Sequence, residues 1–145
     1  MIALIQRVTE GRVLVNQQII GEIEQGIVAL IGVEKNDQPS NADRLLERLL
    51  GYRVFADSND KMNLSVADIE GGLLLIPQFT LAADTRKGKR PSFSTAAPPQ
   101  TGQALFHYLV ERACATYPKI ATGEFGADMK VSLCNDGPVT FWLTA

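Results

Sequence analysis

The sequence has one histidine, two cysteines and one tryptophan among 145 residues, and those scarcities exclude much of the familiar chemistry of enzymes. Transition-metal sites draw on clusters of His and Cys, and neither cluster is present around His107, Cys114 or Cys134. The two cysteines build no disulfide framework and read as free thiols in a reducing cytoplasm. A Ser-His-Asp triad would have to use His107, yet no G-x-S-x-G elbow presents a serine. His107 lies in a helical pattern beside an apolar stripe and reads as a surface or boundary residue. Walker A and G-x-G-x-x-G sequences are both missing, and "GKR" at 88–90 matches only the tail of a P-loop. No metal and no cofactor are expected.

Charge of one sign is also lacking. The formal net charge of -2 gives no global pull towards nucleic acid, so anion binding must come from a local patch. No apolar run approaches the length that crosses a bilayer. The opening "MIALIQRV" has no basic stretch before its apolar residues and reads as a first strand rather than a signal peptide.

What is present fits one α/β domain spanning 1–145. "IALIQRV" (2–8) and "RVLV" (12–15) read as two strands parted by a polar turn at Gly11, followed by "IIGEI" (19–23). "GIVALIGV" (26–33) is apolar throughout, the pattern of a strand covered on both faces. "QPSNADRLLERLLGYRVF" opens with Pro39 and Ser40, with Asp43 three residues on as in a capping box. Leu45, Leu46, Leu49 and Leu50 then share one helical face. A second amphipathic helix over 101–117 places Ala104, Leu105, Tyr108, Leu109 and Ala113 along one stripe. "MKVSLC" (129–134) and "VTFWLT" (139–144) read as strands flanking a turn-like "NDGP". Sheets that are mixed, or antiparallel at their ends, are the expected architecture.

Two stretches stand out. In "PQFTL" (77–81) Pro77 has no N–H to give to a ladder. The segment reads either as an edge strand, with Gln78 and Thr80 on its polar face, or as backbone whose free N–H groups form an oxyanion hole. In "NDGPVT" (135–140) the reading is a tight turn, with a Gly137–Pro138 bond of the type for which cis costs only about 0.5–1 kcal/mol. Next to the first stretch, Arg86, Lys87, Lys89 and Arg90 form a basic loop, either solvated or facing RNA phosphates.

"QFTLA" and "NDGPVTFWL", with "MIALIQRV", "GVEK", "KMNLSV", "ADTRKGKRPSF" and "FGADMKVSL", resemble the D-aminoacyl-tRNA deacylases over nearly the whole chain. The resemblance implies a compact three-layer α/β/β fold, barrel-like, with two main helices. It also implies a cytoplasmic, metal-independent homodimer that frees D-amino acids, or glycine, from the 3′ end of tRNA. Its partners would be tRNA and a second copy of itself, with no membrane and no DNA. Matched residue by residue, Gln78, Phe79 and Thr80 line the catalytic pocket. Gly137 and Pro138 of the other subunit reach in as the chiral filter, and Arg7 steadies them. Phe125 and Met129 fall in the segment that holds the terminal adenine.

One departure is Pro77, where the family pattern has serine, so no side-chain nucleophile exists at that position. The implied mechanism therefore rests on backbone N–H groups and on the 2′-hydroxyl of the RNA. The main alternative is a non-catalytic domain that binds RNA 3′ ends, and a third is a structural protein that dimerises through an exposed strand edge.

Overall fold

A computed structural model describes all residues from Met1 to Ala145. The first strand, β1 (Ile2–Val15), is a single run of 14 residues and not two strands. Gly11 does not turn the chain: it is buried within the strand, where an added Cβ would meet Val28 Cγ2 at 2.7 Å. The chain turns instead at Asn16 and Gln17, with φ of 49° and 65°, the conformation that two-residue hairpins require. The turn leads into β2 (Gln18–Ile23) and then β3 (Gly26–Gly32).

The helix α1 (Pro39–Gly51) follows, then a short separate hairpin of β4 (Phe55–Ala56) and β5 (Met62–Leu64). Its expected capping arrangement is displaced by two residues: the Gln38 N–H donates to Asn41 Oδ1 at 2.8 Å. Asp43 instead lies on the outer side of α1, where it accepts hydrogen bonds from Tyr108 and Arg112 of α2 (Pro99–Thr116). The hydrogen bond to the Asp43 carboxylate raises the Tyr108 pKa, because losing the phenolic proton would break it.

The inner face of α2 is Gly102, Leu105, Phe106, Leu109 and Ala113, while Ala104 and His107 are exposed. The stripe is thus rotated from the one read in the sequence, because Phe106 takes the place given to Ala104. On α1 the buried residues are Ala42, Leu45, Leu46 and Leu49, with Leu50 at the margin.

Strands β6 (Gly72–Pro77) and β7 (Ile120–Thr122) complete the interior of the sheet, and β8 (Met129–Thr144) returns along β1. β3 and β6 pair in parallel, as do β6 and β7, each pair connected through a helix. β1 uses both of its edges. Residues 2–8 pair with β3 and residues 11–15 with β2, while β8 runs antiparallel along the other edge.

The second half of β1 and β2 curl over the sheet until Gly21 lies against β7, so close that an added Cβ would sit 2.4 Å from the Thr122 oxygen. The result is a nearly closed, barrel-like sheet with both helices on one side. Its small inner core is Val8, Val13, Val28, Leu74 and Ile76, and the larger core of 21 residues fills the space beneath the helices. No helix is long and apolar enough to cross a membrane.

A charged pair is buried among these apolar layers. The Met1 ammonium donates to Asp37 Oδ1 at 2.6 Å and to the Ala145 oxygen at 2.8 Å, with no exposed surface of its own. Asp37 also accepts the Glu34 N–H at 2.6 Å, so its two oxygens join the segment after β3 to the start of β1, while Met1 in turn holds Ala145. Removing one partner of a buried pair strands the other's charge, so Asp37→Ala should cost about 3 kcal/mol. Urea unfolding of the variant beside the parent chain measures this, and an unchanged midpoint would show the pair to be dispensable.

Candidate active site

The chemistry of the site begins where β6 stops. Leu73 and Leu75 bond to the β7 side of the sheet, through Lys119 O and from the Gly123 N–H. By strand alternation the Pro77 nitrogen faces the same way, at the point where β7 has just ended. Its ring fills that space, with Pro77 Cδ 3.3 Å from where a Gly123 Cβ would be. The proline therefore does not mark an edge strand. It ends a central strand paired on both sides, and the Gln78 N–H makes the last bond, to Ile31 O at 2.7 Å.

Beyond it the chain coils into a 3-10 turn, Phe79–Ala82, where the sequence suggested continued strand. The first N–H groups of such a turn have no partner within it. No turn, loop, cap or side-chain bond uses the N–H of Phe79 or Thr80. Gln78 and Thr80 meet even without a shared strand face, since Gln78 Nε2 donates to Thr80 Oγ1 at 2.5 Å. That amide is the only hydrogen-bond partner of the Thr80 hydroxyl, and an amide N–H is no base.

Beside this turn opens a cavity of about 240 Å³, lined mainly by apolar groups that include Pro77, Phe79, Ala97, Phe106 and Phe125. Gly102, in the first turns of α2, forms part of its wall, and an added Cβ there would press on the Phe125 ring at 3.5 Å. Phe125 thus lines the same cavity as Pro77 and Phe79. Met129 is not in the lining; its sulfur lies behind Gly123 and accepts the Glu124 N–H at 3.4 Å, propping the turn that carries Phe125. His107 stands outside, in a separate surface groove with Gln103 and Glu124.

"NDGPVT" is not a turn between two strands. β8 is continuous over 16 residues. Asn135 pairs with Val8 and Thr140 with Gln6, so residues 136–139 stand opposite Arg7 alone. The Gly-Pro element is a bulge pushed out of the strand, and its Gly137–Pro138 peptide is cis.

Two side chains hold it. Arg7 Nε donates to the Asp136 oxygen at 3.0 Å, and Nη1 reaches back to the Val54 oxygen at 2.7 Å. Asn135, missed in the sequence, accepts the Val139 N–H and donates to Thr140 Oγ1, both at 2.8 Å. Asparagine's habit of bonding backbone a few residues ahead was the available signal. Gly137 has φ of 131°, and an added Cβ would lie 2.8 Å from Val139 Cγ2 and 3.0 Å from Arg7 Nη2.

Within one chain this element and the pocket do not meet. Arg7 is in register with Ile27 and Leu73, whereas the pocket begins at Pro77, in register with Ile31. Three strand spacings across and four residues along put Gly137 and Phe79 roughly 20 Å apart over the sheet.

The basic loop leaves and re-enters through Asp84 and Ser92, whose backbones exchange bonds of 2.7 and 3.0 Å. Arg86 is not a free cation: its Nε and Nη2 clamp both Asp84 oxygens at 2.9 and 2.7 Å. Those charge-assisted bonds hold the Asp84 carboxyl far below the usual carboxylate range, so the clamp persists at neutral pH and is lost only as acid protonates Asp84. Lys87, Lys89 and Arg90 remain exposed and make no ion pair with the protein.

The chain thus carries an amide pair at the end of a strand beside an aromatic cavity, and, apart from them, a braced Gly-Pro bulge. Residues 4–144 match the family model described as D-Tyr-tRNA(Tyr) deacylase. The chain is 60% identical over 143 residues to the D-aminoacyl-tRNA deacylase of Nitrosococcus oceani, covering 99% of this chain and 92% of the relative. It is 61% identical to that of Thioalkalivibrio sulfidiphilus, with 99% and 96% covered.

Among solved structures, one described as the c-Myc DNA Unwinding Element Binding Protein superposes with a TM-score of 0.95 at 35% identity, covering 100% of this chain and 99% of that one. A second, described as a probable eukaryotic D-amino acid tRNA deacylase, gives 0.82 at 17% identity over 99% and 98%, a likeness of fold. The chain belongs to the D-aminoacyl-tRNA deacylase family, whose members are hydrolases of the aminoacyl-tRNA ester bond.

Arg7→Lys tests the bracing of the bulge. A lysine keeps the charge but has no fork to span Asp136 and Val54 together. The expected loss is about 1.5–3 kcal/mol of stability, read from urea unfolding, and a variant as stable as the parent would remove Arg7 from this role.

Proposed function

We propose that this chain hydrolyses the ester between a D-amino acid, or glycine, and the 3′ end of tRNA, as a cytoplasmic homodimer whose two sites are each shared between subunits. The observation that carries the reading is the amide pair of Phe79 and Thr80 that opens the 3-10 turn beside an aromatic cavity, with no side-chain base lining it. A water oxygen adds to the ester carbonyl and the carbonyl oxygen takes up the negative charge. The Phe79 and Thr80 N–H groups stabilise that oxyanion, each worth roughly 2.7–4 kcal/mol in comparable sites. The 2′-hydroxyl of the terminal ribose relays the water's proton to the departing 3′-oxygen, supplying the acid–base help typically worth about 10²–10⁴-fold. The products are a free amino acid and tRNA with its 3′-hydroxyl restored.

Selection against L-amino acids is assigned to the Gly137–Pro138 bulge of the partner subunit. Braced by Arg7 and Asn135, it blocks the place that an L side chain would occupy, so glycine and diverse D residues pass. The 20 Å separation over the sheet within one chain supports a shared site. So does the outer edge of β8, which pairs with no strand and exposes Phe141 and Trp142 by 37% and 52%. Phe125, with Met129 behind it, forms the adenine pocket. Lys87, Lys89 and Arg90 contact phosphates. Arg86 contributes through its clamp on Asp84 rather than as a phosphate ligand. DNA, which carries no aminoacyl ester, is not a substrate.

The decisive experiment gives the protein matched D- and L-aminoacyl-tRNA and glycyl-tRNA, with a chelator present. D and glycyl esters should be hydrolysed and L esters left intact. Ester loss no faster than in buffer would support the RNA 3′-end binding domain instead. Thr80→Ala and Pro77→Ser should each stay within about threefold of the parent, whereas losing an oxyanion donor costs about 10²–10³-fold. A loss of that larger size in folded Thr80→Ala would reveal a nucleophile or base that this mechanism omits. With tRNA ending in 2′-deoxyadenosine, undiminished hydrolysis would rule out the 2′-hydroxyl.

Gly137→Ala should lower D-substrate turnover about 100-fold and, given its φ and close neighbours, cost about 1–3 kcal/mol of stability as well. Normal activity in that variant would move the filter elsewhere. Sedimentation at micromolar protein settles the assembly, since an active monomer is incompatible with a shared site.

A further inference from the structure

Beside the cavity, in contact with its lining residue Phe79, the fold holds a second aromatic ring that the chain only partly covers. Phe93 is 42% exposed and touches Phe79, itself 58% exposed, with ring centroids 5.2 Å apart and planes inclined by 44°. A tilted contact of that kind is not a full stack, and part of the Phe93 side chain stays open to solvent.

The ring is nonetheless firmly placed. The Ser92 N–H donates to Asp84 O at 3.0 Å, Ala96 N–H to Phe93 O at 3.1 Å, and Ala97 N–H to Val33 O at 3.0 Å. The Lys35 N–H donates to Thr95 O at 3.0 Å, and the Thr95 hydroxyl to the Ala82 carbonyl. A single exposed apolar residue needs no explanation. A pinned aromatic pair continuous with an aromatic cavity is a different case.

The charges around it favour one kind of occupant. Asp84 is neutralised by Arg86, and Glu34 lies 3.7 Å from the Met1 ammonium. Lys35, Lys87, Lys89 and Arg90 form no ion pair, leaving an excess of unpaired cations on the loop that carries the ring and on the segment bridged to it. Exposed aromatic rings flanked by unpaired cations bind unstacked bases and their phosphates in single-stranded RNA.

We infer that Phe93 is the stacking surface for the nucleotide that precedes the terminal adenosine of the substrate. The cavity takes the terminal base, Phe93 takes the next one, and the loop cations meet the phosphates between and beyond them. The assignment rests on the hydrolase reading above and adds a second nucleotide subsite to it.

Two substrates separate the claims: D-aminoacyl-tRNA, and D-aminoacyl-adenosine, which has no preceding nucleotide. Phe93→Leu keeps an apolar side chain and removes the ring. It should raise KM for D-aminoacyl-tRNA about tenfold, within the range seen when one base loses its stacking partner. Its kcat should hold, as should its activity on D-aminoacyl-adenosine. Phe93→Trp should restore the parent KM.

Equal losses on both substrates would mean that Phe93 merely positions Phe79, and would overturn the assignment. So would an unchanged KM on tRNA. A shift of Phe93→Leu towards monomer in sedimentation would place the ring in the contact between copies instead, which also overturns it. If the parent chain hydrolyses neither substrate, the hydrolase reading fails and takes this subsite with it. If it hydrolyses both and Phe93→Leu matches it on both, the subsite alone fails.

Discussion

Everything that places the site depends on β1 having a hydrogen-bonded neighbour on both edges along most of its length. A strand so confined cannot slip, because one residue of slippage would turn every side chain to the wrong face. Yet β1 has to serve two halves of a curled sheet. Val8 and Val13 both point into the small inner core, although five residues apart they belong to opposite faces of an ideal strand. The parity is corrected by the shift in pairing between Val8 and Glu10 opposite Asn135 and Cys134, where β1 carries an extra residue. Just before it, between Gln6 and Val8, the excess lies on β8. The Gly-Pro bulge and the bend of β1 are therefore adjacent irregularities of one ladder. Arg7, at their meeting point, bonds to the bulge on one side and to Val54 on the other.

This arrangement explains which parts of the fold were legible in the sequence. The helix α1 was, because Leu45, Leu46 and Leu49 repeat at the helical period and need no distant partner to be read. The apolar run of β3 was legible for the same local reason. β1 and β8 each looked like two strands with a turn between, since Gly11 and Gly137–Pro138 are turn-type residues. A bulge and a turn share that local chemistry. What separates them is whether a partner strand continues on both sides, and that information lies more than a hundred residues away in each case.

The site divides along the same line. That Pro77 interrupts a ladder could be read, and so could the gathering of Gln78, Phe79 and Thr80. That it ends an interior strand could not, because the ring's place beside Gly123 comes from the β6–β7 pairing. The basic loop was over-read in one position. Arg86 stands two residues from Asp84, close enough for the pair to have been suspected from spacing, and the clamp removes one cation from the group. Asn135 went unnoticed because its two bonds matter only once residues 136–139 are known to bulge.

Gly123 shows how such a site constrains its own history. Its backbone conformation is open to any residue, so what bars a side chain there is only the company it keeps: Met129 Sδ at 2.8 Å, Pro77 Cδ at 3.3 Å and Ile76 Cγ2 at 3.4 Å from an added Cβ. The methionine is flexible and can withdraw, whereas the proline ring is rigid. Positions 77 and 123 are therefore coupled: a side chain at 123 needs the ring at 77 to give by a few tenths of an ångström, and is easier to place once the ring has gone.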